Sequence, residues 1–283
     1  MPNQSKIAAL VINLDSAQER CDFQEKQLYK LGIDYQRWEA NSVDSLTDDE
    51  YEKWANDWQR KLRRTEVACF LSHYRAWQYI VDSGKPFLIL EDDALLSQDL
   101  PKTLLEISGN QDIKYNHITF ETRGRKKLIS KQGFDLRDSI ALHKLFLDKT
   151  GAAAYLLTPI GAKILIDHVV KYGAGLADAL LCHTKLLKSM QSVPALAIQM
   201  DMATHYGLPE LQCDSIATSN ISTPSNIKPI SNSITNTLKY KSKRISAQLG
   251  MGVNQLKNSS DGCYKEIIPN NDSFKYLRCL IDS

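Results

Sequence analysis

Long hydrophobic runs are missing: no stretch of the 283-residue chain reaches the ~18 consecutive apolar residues of a membrane span. The first apolar run, Ile7 to Leu14, is interrupted by Asn13 and stopped by Asp15. It lacks the basic leader and small-residue cleavage site of a signal peptide. The cysteines (Cys21, Cys69, Cys182, Cys213, Cys263, Cys279) are scattered without a C-x-x-C pair, which speaks against zinc or thioredoxin-like chemistry. A cytoplasmic protein with reduced thiols is the resulting expectation. P-loop, G-x-G-x-x-G, H-E-x-x-H and G-x-S-x-G motifs are absent, as is any internal repeat, so the common nucleotide, zinc-protease and hydrolase signatures do not apply. Nor is there a strong excess of one charge. With 35 Lys+Arg against 33 Asp+Glu the formal net charge is +2, and nucleic acid is not an expected partner.

What remains is an ordinary globular composition, 43% apolar and 24% charged, long enough for one large domain or two small ones. Ile7–Leu14 reads as a strand buried on both faces. Asp15 or Ser16 can cap a helix that Gly32 ends. Tyr35–Trp38 reads as a short strand, Glu66–Asp82 as an apolar-periodic helix stopped at Gly84, and Phe87–Leu90 as a second buried strand. A helix over 99–108, strands at His117–Phe120 and Ala152–Leu157, and a helix opened by Thr158-Pro159 follow. Strands alternating with helices predict an α/β domain with a mostly parallel, Rossmann-type sheet flanked by helices. Ligands of such sheets bind at the carboxyl ends of the strands, here Asn13–Asp15, Glu91–Asp93 and Glu121.

Phe87–Leu90 runs directly into Glu91-Asp92-Asp93. Carboxylates crowded at a strand end repel one another and need a cation or a proton to coexist. Mn²⁺ or Mg²⁺ takes such oxygen ligands, with diphosphate oxygens completing the shell. The plainer alternative is a helix cap with solvated neighbours. Asn13 can bond a base or ribose and Arg20 a phosphate, or they are a turn residue and a surface charge. His73 lies in an otherwise apolar helix, where a packed core histidine is as good an explanation as a site residue.

Taken in order, VINLDSAQER (Val11–Arg20), YQRWEA (Tyr35–Ala40), EVACFLSHYRAW (Glu66–Trp77), FLILEDDALLS (Phe87–Ser97), HITFET (His117–Thr122), GAAAYLLTPIGAKIL (Gly151–Leu165), Ala177-Asp178 and the Pro194–Gln199 stretch resemble glycosyltransferase family 25. This is the lipooligosaccharide galactosyltransferase family of Gram-negative bacteria, also related to collagen galactosyltransferase domains. The resemblance implies a GT-A-like fold and transfer of galactose from UDP-galactose to a sugar of a lipooligosaccharide or oligosaccharide. It implies Mn²⁺ (or Mg²⁺) at an Asp-x-Asp-type motif, here Glu91, Asp92 and Asp93, with Asp93 the first choice as ligand. LgtB-type members invert the anomeric centre, which favours a β-linkage and asks for a carboxylate base. Asp178 is the choice for that base and Glu121 for the partner carboxylate. Asn13, Arg20, Asp92, Asp93, His73, Tyr155 and Gln199 are the donor-binding candidates. Another donor (UDP-glucose or UDP-N-acetylglucosamine) and a non-catalytic nucleotide-sugar-binding protein are the alternatives.

The composition changes near residue 215 and divides the chain into a GT-A-like catalytic domain at residues 1–212, where the resemblance lies, and a C-terminal Ser/Asn-rich basic segment at 213–283. Residues 215–260 hold Lys228, Lys239, Lys241, Lys243, Arg244 and Lys257 and no acidic residue. The near-neutral total therefore conceals a mildly acidic catalytic part and a basic tail. Lys239, Lys241, Lys243 and Arg244, set among Ile and Leu, can rest on an anionic membrane surface at the inner face of the cytoplasmic membrane. The alternative is a solvated linker or a helix packed on the catalytic domain.

Overall fold

The computed structural model describes residues 7–136, 138–148, 151–208 and 234–281. In chain order the elements are β1 (Ala9–Asn13), α1 (Gln18–Leu31), β2 (Tyr35–Glu39), α2 (Asp48–Ala55), α3 (Arg64–Ser83), β3 (Phe87–Glu91), β4 (Ala94–Leu96), α4 (Leu100–Gly109), β5 (His117–Thr119), β6 (Glu121–Thr122), β7 (Lys126–Asp135) and β8 (Ala141–Leu147). After these come β9 (Ala154–Leu157), α5 (Pro159–Tyr172), α6 (Ala177–His183), β10 (Ser189–Val193), β11 (Ala197–Gln199), α7 (Ile234–Lys257), β12 (Gly262–Glu266) and α8 (Arg278–Ile281).

A nine-stranded sheet runs β12-β7-β8-β10-β5-β9-β3-β1-β2. β1 pairs parallel with both β2 and β3, and β10 parallel with β5. β9, wedged between β3 and β5, runs against both. The α/β class expected from sequence is present. The parallel pairing expected to dominate holds for β2-β1-β3 and β5-β10, while β9 at the centre and the β8, β7 and β12 extension pair antiparallel and make the sheet mixed.

Continuous apolar strands are buried on both faces because helices cover both. Leu10, Ile12 and Ile89 face a layer containing Phe70, Trp77 and Ile80 of α3 and Leu165 and Val169 of α5. Their neighbours Ala9, Val11, Leu88 and Leu90 face Leu28 of α1 and Leu104 and Ile107 of α4. The helix signals act as read: Gly32 ends α1 at φ 66° and Gly84 ends α3 at φ 65°. Thr158 caps α5 by accepting from Gly161 N at 3.1 Å. At α1 the expected caps Asp15 and Ser16 are not used; the N-cap position is Ala17, without a side-chain cap bond. Asn13 reaches over instead, Nδ2 donating to Ala17 O at 3.0 Å.

A second, three-stranded sheet, β4-β11-β6, positions the site. Each of its strands continues a strand of the large sheet: β3 leads through Asp92-Asp93 to β4, β5 through Phe120 to β6, and β10 through residues 194–196 to β11. Its Leu95 and Ile198 pack with Phe23 of α1 and with Phe274 and Leu277 near the C-terminus.

The boundary expected after residue 212, and the linker expected to follow it, lie outside the described residues. Residues 234–281 are built into the same body: β12 pairs with β7, and Phe274 and Leu277 are buried. α7 lies along the catalytic part. Lys239 Nζ pairs with Asp57 Oδ1 at 3.2 Å, Tyr240 donates to Asn56 Oδ1 at 3.1 Å, Lys243 donates to the carbonyls of Asp57 and Tyr172, and Arg244 Nη2 donates to Gln59 O at 3.4 Å. Three of the four cations assigned to a membrane surface thus hold the helix to the protein; Lys241 is exposed. Among the described residues, no helix is long and apolar enough to cross a membrane.

Candidate active site

β3 carries Glu91 to the edge of the sheet, and the chain turns through Asp92 and Asp93 before entering β4. The three carboxylates diverge. Asp92 faces α1, where Oδ1 accepts from Arg20 Nη1 and Oδ2 from Asn13 Nδ2, each at 2.9 Å. Arg37 Nε in turn donates to Asn13 Oδ1 at 2.9 Å. Burial raises the Asp92 carboxyl, and Arg20 and Asn13 pull it back. Asn13 and Arg20, expected to contact the donor, are turned in this structure onto Asp92 and hold it. Gln24 and Gln27 fix the same loop: Gln24 Nε2 donates to Ala94 O at 2.7 Å, and Gln27 Oε1 accepts from Leu96 N at 2.9 Å. Both glutamines are buried. Sequence reading passed them over, although glutamines three apart on the inward face of a helix are a legible signal.

Glu91 faces α3. Its Oε1 lies 3.1 Å from His73 Nε2, and its Oε2 accepts from Gln199 Nε2 at 3.5 Å. Tyr155 Oη is 2.9 Å from both His73 Nδ1 and Trp77 Nε1. An indole N–H can only donate, so the phenol oxygen accepts from Trp77. The two ring nitrogens of His73 link that phenol to Glu91. His73 and Tyr155 therefore stand behind Glu91 and orient it, fully buried themselves. Cys69, one turn before His73, brings its sulfur within 4.8 Å of the His73 and Glu91 donor atoms. Burial, then the Glu91 charge, pushes that thiol well up, so it stays protonated.

Asp93 is half-buried like its two neighbours, but its Oδ1 is enclosed and has no hydrogen-bond partner among the described residues. Burial, then Glu91 and Asp92, pushes its carboxyl up to about 8. Glu121 opens β6, fully buried. Its Oε1 accepts from Ala153 N at 3.0 Å, while Oε2 has no partner. Burial, against the pull of Lys127, pushes it up to about 8. Gln199 Oε1 is likewise buried and unpaired. Buried polar atoms without partners are rare in folded proteins, and a water, an ion or a ligand group can satisfy them. Oxygen-only donors of this kind suit a hard divalent cation such as Mn²⁺ or Mg²⁺, and the thiol of Cys69 does not.

Asp178 lies in the first turn of α6, half-buried, with Oδ1 accepting from Ala179 N at 2.7 Å. Burial raises its carboxyl, the Ala179 N–H lowers it, and the Glu91 charge raises it again. Asp178 thus stands within electrostatic reach of the acidic edge while keeping access to solvent.

Gly151 is a second residue the sequence reading passed over. Its φ is +60°, and a Cβ there would come within 2.0 Å of Glu121 Oε1. Gly151→Ala should push the Glu121 carboxylate aside and strain the backbone, costing about 1–3 kcal/mol. A wild-type melting temperature for that variant would show that the close approach is unimportant. Glu121 also gives a pH signature. Its folded value of about 8 lies above the ordinary 4.5, so stability from the neutral acid is complete at low pH and is lost as pH rises toward about 8. Glu121→Gln should flatten the decline in melting temperature over that window. Equal slopes in the two proteins would contradict a neutral buried acid.

The edge-of-sheet carboxylates form a cluster of oxygen donors that suits a cation, with the half-buried acid Asp178 within electrostatic reach of it. The family model described as Glycosyltransferase family 25 (LPS biosynthesis protein) matches residues 6–181. The chain belongs to this family. It is similar to the lipooligosaccharide biosynthesis protein lic2B of Haemophilus influenzae, 29% identical over 166 residues, 56% of this chain and 62% of that protein. Mouse procollagen galactosyltransferase 2 is 26% identical over 134 residues, 43% of this chain and 21% of that protein. The lacto-N-neotetraose biosynthesis glycosyltransferase LgtE of Neisseria meningitidis serogroup B is 43% identical over 49 residues, 17% of this chain and 18% of that protein. The chain spans less than two thirds of the length of each of these three.

Proposed function

We propose that this protein transfers galactose from UDP-galactose to a terminal sugar of lipooligosaccharide, with inversion and a β-linkage. The observation that carries the reading is the buried, unpaired Asp93 oxygen beside Glu91. Asp93 and Glu91 would hold the divalent ion, with Asp92 kept in place by Arg20 and Asn13. A bound Mn²⁺ or Mg²⁺ would supply charge neutralisation for the diphosphate leaving group. His73 and Tyr155 keep Glu91 aimed at the site, and the amide of Gln199 restrains its other oxygen. Asp178 takes the proton of the attacking hydroxyl, a role for which its raised carboxyl is suited. Glu121, buried with Oε1 held by Ala153 N, stands beneath the edge as the partner carboxylate. The galactose assignment draws on the likeness to procollagen galactosyltransferase 2.

The test is UDP release from UDP-galactose, UDP-glucose and UDP-N-acetylglucosamine, with lipooligosaccharide as acceptor, in Mn²⁺ and then in EDTA. Acceptor-dependent release from UDP-galactose, lost in EDTA and giving a β-linked product by NMR, is the expected result. Preference for another donor would replace the galactose assignment, release that survives EDTA would remove the metal, and no release at all would undo the reading.

The acceptor proposed here is lipid-linked, and α7 offers a surface for it. With Lys239, Lys243 and Arg244 turned to the protein, the opposite face presents Leu238, Ile245, Leu249, Val253 and Leu256, each more than half exposed. Exposed Lys241 and Lys257 flank that stripe, the pattern of a helix lying in an anionic lipid interface. The membrane reading therefore rests on the apolar stripe more than on the Lys239–Arg244 cluster. Wild-type protein should sediment with phosphatidylglycerol vesicles, and Ile245→Glu with Leu249→Glu should release it while leaving transfer to a soluble acceptor intact. Equal sedimentation of both proteins would reject this surface.

A further inference from the structure

The inner face of α7 borders a cavity of about 320 Å³, at the small end of the size range of small-molecule sites. Its other wall is formed by Trp58 and by Asp178 and His183 of α6, and α7 contributes Arg244, Gln248 and Met251. We propose that this cavity is the acceptor-saccharide site, with Trp58 as the platform for a sugar ring and Arg244 placed for an anionic group beside it. The assignment rests on the glycosyl-transfer reading and adds to it where the acceptor sits.

Sugar rings present a C–H face that packs on an aromatic plane and a rim of hydroxyls that need both donors and acceptors. Trp58 is held to serve as such a plane. Its ring lies on the bare backbone of Gly175, where a Cβ would approach it to 2.7 Å, and it meets the His183 ring edge-on at 5.9 Å. His183 Nδ1 is 2.7 Å from Ala179 O. A carbonyl can only accept, so Nδ1 donates to it and Nε2 is left for a hydroxyl. Gln248 offers a donor and an acceptor on the same amide. Arg244 commits one nitrogen to Gln59 O and retains further N–H groups for a phosphate or carboxylate, a common decoration of lipid-linked glycans.

Position argues for acceptor over donor. Asp178 lines this cavity and also feels the charge of Glu91, so the cavity opens within electrostatic reach of the acidic edge where the diphosphate is proposed to bind. A hydroxyl in the cavity would lose its proton to Asp178 as its oxygen bonds to the anomeric carbon. The bond from that carbon to the β-phosphate oxygen breaks, and UDP leaves with the electron pair.

Saturation-transfer NMR on the full chain tests this without turnover. The probes are methyl β-D-galactoside, methyl β-D-glucoside and methyl N-acetyl-β-D-glucosaminide at millimolar concentration, with UDP measured separately. At least one glycoside should give signal with the wild type, and Gln248→Trp, which fills the cavity from an exposed helix position, should cut it at least fivefold. Arg244→Ala should raise the KM for lipooligosaccharide acceptor about tenfold with the donor KM unchanged. Silence from all three glycosides, or equal glycoside signal in Gln248→Trp, would overturn the proposal. Loss of UDP signal in that variant would overturn it too, by making the cavity a nucleotide site. Failure of the transfer reading would appear differently, as an absence of UDP release in a protein whose cavity still binds glycosides.

Discussion

Asp93→Asn should raise the melting temperature of the protein while removing its transfer activity. The two effects have one cause. Asp93 has an enclosed Oδ1 without a hydrogen-bond partner among the described residues and stands beside Glu91 and Asp92. With its carboxyl pushed up to about 8, the folded protein must take up a proton near neutral pH that the unfolded chain does not, which costs stability. An amide of the same shape carries no charge and needs no proton. For a chain of this size a gain of about 1 kcal/mol corresponds to roughly 2–4 °C. Transfer should fall by about 10³-fold, in the range seen when an electrostatic stabiliser is removed from an active site. Differential scanning fluorimetry and UDP release on the same samples measure both. A variant that is less stable would mean Asp93 has a structural partner, and one that retains transfer would remove it from the donor site.

Asp178→Asn should lower kcat by about 10²–10⁴-fold, the contribution of a positioned general base, while UDP affinity stays at the wild-type value. Asp178 makes one hydrogen bond, to its own neighbour Ala179, and is half-buried, so its amide can be accommodated without repacking. Glu121 is the competing candidate, and burial separates the two: Glu121 is fully enclosed and Asp178 is open to the cavity beside α7. If Asp178→Asn keeps its rate while Glu121→Gln loses it, the roles are reversed.

The parts of this site visible in the sequence are those written in consecutive residues. β1 and β3 declare themselves because every inward position on both faces is apolar, and Glu91-Asp92-Asp93 stands out against that background. Glu121 and Asp178 came into view through the family resemblance and the strand-end rule. Pairings across the chain were not visible: nothing near Arg20 announces that it will meet Asp92, 72 residues away. His73 looked equally like a core residue, and it is one, buried between Tyr155 and Glu91, yet the bonds that satisfy it also aim Glu91. α2 was passed over although Thr47 and Glu50 spell a capping box. The β7–β8 hairpin stayed hidden because its strands do not advertise burial. Lys127 reads as a surface charge, but it is fully enclosed and its Nζ meets Asp148 Oδ2 at 2.7 Å. α7 read as a basic run because its sorting into two faces emerges only when the residues are wound into a helix.

The three strands of the small sheet are each the forward end of a strand in the large one, and the joints are short: two residues after β3, one after β5 and three after β10. Asp92 and Asp93 occupy the first joint, Glu121 follows the second, and Gln199 closes the strand beyond the third. Such a site behaves as a platform on three fixed legs. It cannot tilt at one carboxylate without moving the others, so a single-residue insertion at any joint should disturb all of them together. Insertions in the surface connections of the same length would leave the platform level. Variation around α6 and α7 can therefore accumulate without disturbing the acidic edge.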